Sequence, residues 1–558
     1  MTRLLSALIL VGSGLLAAPP SPLLDTLATE LDRNFHILKE KADPPAYFIS
    51  YEVTDVDAHS IAATLGDLSS HNDSHSRDLD VGLRVGSPKL DNYRLVGGAA
   101  PQFTATVGVP IEGGTAAVKQ LAWIETDRAY RSAAERLIKI KTSEQVKVAA
   151  LDKSDDFSAA PVATHVEPIT HPPFDSGLWT ARMRSVSAVF RDHPKILSSS
   201  VSISAKTDER YFVNSEGTRL QHGRGFSRIM ISASTRADDG MNLGNSVIYD
   251  AVDASHLPSE AVMKADAEKL AKEVEALMNA PVAEPYVGPA IFSGKASGVF
   301  FHEIFGHRIE GHRQKNESEG QTFTKSVGEL VLPTFLSVVF DPTIKQIAGV
   351  DLNGFFAYDD EGVAAQPVTA VDKGVLKSFL MSRTPIEGFG ASNGHGRRQP
   401  GYEVVSRQSN LIVKSDKTVP DAQLREMLIA EARRQNKPYG LLFQDITSGQ
   451  TTTQRAGMQA FKVVPVIVYR IYADGRPDEL IRGADMVGTP LASFNKILST
   501  SDRTEVFNGY CGAESGWVPV AVVSPAILVS EIEIEKMEKS QNRPPILPPP
   551  PMGTGAGQ

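Results

Sequence analysis

Apolar residues along the first half of the chain recur at two different periods. Leu24, Leu27, Leu31 and Phe35 return at helical spacing with charges between them, predicting a helix from Ser21 to about Lys41, with Pro22 tolerable in its first turn. Tyr47 to Val53 alternates and predicts a strand. Thr126 to Ile140 carries a second helical pattern. Val186 to Phe190 and Ser198 to Ala205 read as strands. Tyr211 to Gly217 reads as a strand entering a turn, where Gly217 is free to take positive φ, and Phe226 to Ser234 continues the β character. A strong helix follows. Ala261, Ala265, Leu270, Ala271, Val274 and Leu277 mark its apolar face, Pro258 is placed at its first turn, and it stops near Asn279.

Polar runs interrupt this pattern. Ser69 to Ser76 holds His71 and His75 four residues apart and reads as a solvated loop, not a metal site. Thr142 to Pro173 reads as a surface excursion. Ala280 to Pro285 reads as a linker and sets the main domain boundary. Beyond about Gly320 the chain is mostly β, in short runs divided by Gly and Pro: Leu336 to Phe340, Val371 to Phe379, Leu411 to Val413, Val463 to Ile471 and Ala521 to Ile534.

With 558 residues, the chain is too long for a single hydrophobic core. The expected division is 1–18 as a signal peptide, 19–283 and 284–540 as two domains, and 541–558 as a proline-rich, extended tail. Met1-Thr2-Arg3, the apolar run from Leu4 to Leu16 and the small residues after it form the three parts of a secretory signal. The run is short for a bilayer span of about 20 residues. Export to a periplasm or the medium is expected, with no stable membrane span after signal removal; an uncleaved anchor is the alternative. The net charge is -9 and no basic block appears, which argues against nucleic acid as a partner. Cys511 is the single cysteine, so no internal disulfide can form, and an exported thiol must be buried or ligated.

The candidate chemistry centres on Phe300-Phe301-His302-Glu303-Ile304-Phe305-Gly306-His307, followed by Glu310-Gly311-His312. Neutral imidazole is a common zinc ligand, and a carboxylate beside the first His can act as a base. The two His are five apart, not four. On a regular helix that separates them by about 140°. Both can address one ion only if the helix is bent or ends there, and Gly306 is where that costs least. A third ligand is then needed. His312, the acidic turn Asp359-Asp360-Glu361, and Cys511, with Gly509 and Gly512 beside it, are the candidates.

Taken together, these residues resemble the TldD/PmbA family of metallopeptidases, in its metal-bearing TldD-like branch. The resemblance is carried by His302-Glu303-x-x-Gly306-His307 with Glu310-Gly311. Tyr358 to Gly362, Gly374 to Leu376, Gly394 to Arg398, Gly509 to Gly512, Val518 to Val520 and Ser524-Pro525 add to it. It spans about Val287 to Glu535 and is faint before that. It implies an α+β protein, with an N-terminal α/β domain, then a mainly β C-terminal domain that begins with the metal-binding helix. It implies Zn2+ on His302, His307 and Cys511, Glu303 as catalytic base, and peptide or unfolded-protein substrates. A homo-oligomer, or a dimer with a related subunit, is also implied. The thiolate favours zinc over manganese, iron or cobalt. The signal-like start, the long polar stretch, the proline-rich tail and His312, where the family commonly has an acidic residue, depart from the pattern. The competing expectation is a non-catalytic peptide-binding or partner subunit with a structural metal, for which Glu303 would have no use.

Overall fold

The computed structural model describes residues 21–96, 99–112, 114–144, 152–168, 173–455, 461–488, 494–537, 543–548 and 550. The signal-like segment and the end of the proline-rich tail lie outside them. Helix α1 (Pro22–Lys41) opens with Ser21 as its N-cap, whose side chain accepts the Leu24 N–H, and with Pro22 in the first turn. A first sheet follows: β1 (Ala46–Thr64), β2 (Asp67–Ser87), β3 (Leu90–Asp91), β4 (Ala105–Gly108), β5 (Thr164–Val166), β6 (Ser198–Asn214), β7 (Arg219–Arg236) and β8 (Asn242–Ala251). Its order is β3-β2-β1-β6-β7-β5, with β4 beside β2 and β8 beside β7. Every pairing is antiparallel except β5 with β7.

Helices cover one face of this sheet. Tyr51 and Val53 pack with α1 and α2 (Thr115–Glu144), while Ile61 packs with α3 (Ser176–Ser187) and α4 (Glu260–Asn279). The opposite face is polar. There Glu52 and Arg210 meet Arg398 and Asp360 of the second half of the chain.

The second half begins with β9 (Tyr286–Phe292) and α5 (Gly294–Ile304). After α5 come a short 3-10 turn at Gly306–Ile309 and the single-turn α6 (His312–Lys315). Its strands are β10 (Leu336–Phe340), β11 (Gln346–Ile347), β12 (Val350–Asp351), β13 (Val368–Asp372), β14 (Val375–Leu376), β15 (Gly396–Arg397), β16 (Val405–Ser406), β17 (Asn410–Ser415) and β18 (Thr418–Val419). Helix α7 (Asp421–Arg434) precedes β19 (Tyr439–Thr451), β20 (Phe461–Tyr472), β21 (Glu479–Ile481), β22 (Ala484–Gly488), β23 (Ile497–Ala513) and β24 (Gly516–Lys536). The main path runs β14-β13-β10-β17-β24-β22-β20-β19-β9, and β9 returns to pair with β24, closing the path on itself. Helix α5 packs into the core of this closed sheet. Phe300, Phe301, Ile304 and Phe305 are fully buried beside Phe292, Phe443 and Phe494.

Several expectations are corrected. Ser69–Ser76 is not a loop but the outer part of β2, paired residue for residue with β1. Polar residues can form a strand there because a long ribbon partner supplies the hydrogen bonds. Val186–Phe190 is not a strand: it is the end of α3 and a 3-10 turn. Pro258 precedes α4, whose cap is Ser259. Val371–Phe379 folds back as the β13–β14 hairpin around Lys373 and Gly374, both at positive φ. The polar stretch is not wholly superficial. Asp156 and Phe157 are buried, Asp156 against Arg94 and Phe157 under the guanidinium groups of Arg84 and Arg383. Helix α7 was not foreseen.

Candidate metal centre

Helix α5 is set in place by its N-terminus. The Ser293 side chain accepts the Ala296 N–H at 3.1 Å. The helix runs against β24 so closely that a Cβ on Gly294 would lie 2.6 Å from the Ser524 carbonyl oxygen. It ends at Ile304. The Arg308 guanidinium caps it, donating to the carbonyls of Glu303 and Ile304, both at 3.0 Å, and to Thr451 Oγ1 at 2.9 Å. The chain then tightens into the 3-10 turn that carries His307. Ending the helix resolves the five-residue spacing without a π-bulge. The His302 and His307 ring centroids lie 5.0 Å apart, at 82°.

Cys511 arrives from β23. It sits in a regular antiparallel ribbon opposite Val518, so its position owes nothing to loose backbone at the neighbouring glycines. Its Sγ lies 3.2 Å from His302 Nε2 and 3.4 Å from His307 Nε2. The ligand atoms of the three residues all lie within 4.8 Å of one another. Tetrahedral zinc with usual Zn–S and Zn–N lengths would set S and N about 3.5 Å apart. The three residues therefore fit a zinc-sized ion.

The electrostatics agree. Burial alone would raise the Cys511 thiol, but His307, Arg407 and His302 outweigh it and hold the thiol well below its ordinary value. Burial works against a charged His307, yet Cys511 and Glu310 hold its pKa well above the ordinary value. A buried thiolate whose neighbours supply positive charge is the environment a dication would enter, displacing the imidazole proton. Glu310 fixes the ring. Its Oε2 lies 3.2 Å from His307 Nδ1, which leaves Nε2 to face Cys511. Arg313 donates to the same oxygen at 2.8 Å. Burial would raise Glu310, but His307, Arg313 and Arg407 hold its carboxyl far below the usual carboxylate range. Arg407 also donates to the Cys511 carbonyl at 2.6 Å and to Ser515 Oγ at 2.8 Å, tying the β23–β24 hairpin to this centre.

Glu303 stands beside the trio, its Oε2 4.0 Å from His307 Nε2. These four residues line a cleft of about 2050 Å³ between the two halves of the chain. Tyr93, Arg94, Gln102 and Arg228 come from the first half, and Gly449, Thr451 and Tyr510 from the second.

The other candidates lie elsewhere in the network. His312 pairs through Nε2 with Glu514, and Glu514 also accepts from Arg313 at 2.9 Å. Asp359 accepts N–H groups from Glu361, Val363 and Gly396, and Asp360 pairs with Arg210. This acidic turn is thus tied into the contact between the two halves. Glu310, Arg407 and Gly449 carried no role in the sequence reading. Only Glu310 gave a signal, three residues beyond His307.

A family model described as the PmbA/TldA metallopeptidase C-terminal domain matches residues 286–536, the stretch that holds all four residues. Residues 286–536 thus carry the C-terminal domain of the TldD/PmbA family. A metalloprotease TldD homolog of Haemophilus influenzae is 24% identical over 357 residues, 62% of this chain and 68% of that protein. A zinc metalloprotease TldD homolog of Saccharolobus solfataricus is 25% identical over 250 residues, 44% of this chain and 51% of that protein. Among solved structures, TldE of Thermococcus kodakarensis superposes with a TM-score of 0.63 at 13% identity, covering 91% of this chain and 100% of that one. That likeness is one of fold, and it reaches into the N-terminal half where sequence similarity is faint. The matched domain and the metalloprotease relatives support a metallopeptidase-family role for the chain.

Proposed function

We propose that this chain is a zinc-dependent peptidase that hydrolyses peptides or unfolded segments. The observation that carries the reading is the convergence of His302, His307 and Cys511, with the Glu303 carboxylate alongside, on the wall of an open cleft. Zinc held by those three residues would supply a Lewis acid for the scissile carbonyl and lower the pKa of a bound water toward about 7.

The chain's own residues do the rest. Glu303 accepts a proton at its carboxylate from the attacking water and delivers it to the leaving amine. Glu310 holds the His307 ring at Nδ1 and so keeps Nε2 toward Cys511. Arg407 fixes the carbonyl of Cys511, and so the strand that presents the thiolate. The cleft admits an extended chain and is too large for a site restricted to a small metabolite.

Among the described residues the cluster has three protein ligands, and His312 is engaged by Glu514. That favours a centre with one position open to water and substrate over a closed structural site, which takes four protein ligands. Zinc removal and restoration tests the reading: chelation abolishes cleavage of an unfolded peptide and stoichiometric zinc restores it. Cleavage that survives complete zinc removal overturns it.

A further inference from the structure

The strand that replaces the expected loop changes the reading of its histidines. In β2 alternate residues share a face, so His71, Asp73 and His75 point the same way. Opposite them on β1 stand Ile61, His59 and Asp57. This is the helix-covered face of the first sheet, in the interval between the core under α1 and α2 and the core under α3 and α4. Apolar residues fill the face on either side, at Val53 and at Ile61, but the interval holds three histidines and three aspartates.

Their polar atoms are already close. His59 Nδ1 lies 2.7 Å from Asp73 Oδ1, His71 Nε2 lies 3.5 Å from Asp73 Oδ2, and His59 Nε2 lies 3.8 Å from Asp57 Oδ1. His75 Nε2 meets Asp55 Oδ1 at 2.6 Å, and Arg77 pairs with the same carboxylate. The His59 ring is held flat against Phe174, with centroids 4.7 Å apart at 4°. His59 and His71 are about a third exposed and Asp73 more than half, so an ion could enter from solvent.

We propose that this face binds a divalent cation of the zinc class through His59, His71 and Asp73, separately from the cleft. The donor set is two imidazoles and a carboxylate, which suits zinc, nickel or copper rather than calcium or magnesium. Directly opposed and diagonal pairs on an antiparallel ribbon lie within reach of side chains of this length. Asp73 is the partner that both rings share, and closing on one ion takes a rotation of each imidazole toward it. The ion would brace the outer β1–β2 ribbon, where Leu68 to Arg77 has few apolar contacts.

The test is zinc stoichiometry and affinity of the full chain, with zinc alone as the probe. Parent protein is compared with a His59→Ala, His71→Ala double variant and with Asp73→Asn. Cobalt(II) gives a thiolate charge-transfer band only at the Cys511 centre, so the two sites are read apart. Two zinc ions per chain are expected in the parent and one in the double variant, whose thiolate–cobalt band stays at full strength. Asp73→Asn weakens zinc binding at this face by at least the roughly 10–100-fold that loss of an outer-shell partner costs. These residues are on the surface, and unchanged circular dichroism confirms that the variants fold. Equal zinc stoichiometry and affinity in parent and double variant overturns the proposal, as does a single zinc in a parent whose thiolate band is at full strength.

Discussion

Gly449 lies directly against the Glu303 side chain: a Cβ at this position would stand 2.5 Å from Glu303 Cγ and 3.0 Å from its carboxyl carbon. Strand β19 therefore approaches α5 closely enough to fix where that carboxylate sits, and only glycine permits it. Gly449→Ala displaces the carboxylate without touching His302, His307 or Cys511. Misplacement by about 1 Å is worth on the order of 100-fold in rate. The expected result is peptidase activity down by about 10–100-fold with zinc content unchanged. Steady-state kinetics with elemental analysis check it, and loss of zinc in this variant would show that Gly449 supports the ligands instead.

In the proposed centre, Glu310 would act on the metal through His307. Glu310→Gln keeps the size and the contact with Arg313 but weakens the acceptor for Nδ1–H. Zinc affinity is expected to fall by about 10–100-fold, measured by competition with a chelator. A variant that holds zinc as tightly as the parent would mean that the His307–Glu310 contact, 3.2 Å long, is only architectural.

Glu403 gives a pH prediction for stability. Its enclosure in the cleft, only partly offset by the Tyr93 hydroxyl and Arg398, pushes its carboxyl up to about 7. A carboxyl raised in the folded state contributes stability that is fully present below its ordinary pKa of about 4.3. That contribution is lost as pH rises through about 7. Glu403→Gln removes the loss. The variant is expected to be more stable than the parent above pH 7, by at most about 3 kcal/mol and less for the contact with water that Glu403 keeps. Below pH 4 the two should be alike. Denaturant melts across that range check it, and parallel pH profiles would contradict it.

How much of this was legible in the sequence follows from the range of each interaction. The candidate ligands were legible because local chemistry marks them. His302, Glu303 and His307 share one short segment, and Cys511 is the single cysteine. The need for the helix to bend or end between the two histidines was also legible, since rotation per residue fixes it; that it ends was not. The means of ending it was not, because Arg308 caps the helix while anchored on a strand 143 residues away. Gly449 and Arg407 were hidden for the same reason: their roles exist only where β19, β23 and α5 meet. Ser69–Ser76 shows the opposite failure. Its composition is that of a loop, and only the long partner strand β1 makes it part of a sheet. The covered and polar faces of the first sheet likewise depend on pairings that span more than a hundred residues, such as Glu52 with Phe212.

The central claim is that Glu303 is the base at a metal held by His302, His307 and Cys511, and Glu303→Gln tests it most directly. The variant is loaded with cobalt(II) to read the thiolate charge-transfer band, then with zinc to measure cleavage of an unfolded peptide. The account predicts an unchanged band with kcat lower by about 100- to 10,000-fold, the usual worth of a positioned general base. Full activity in a variant whose band is intact would contradict it.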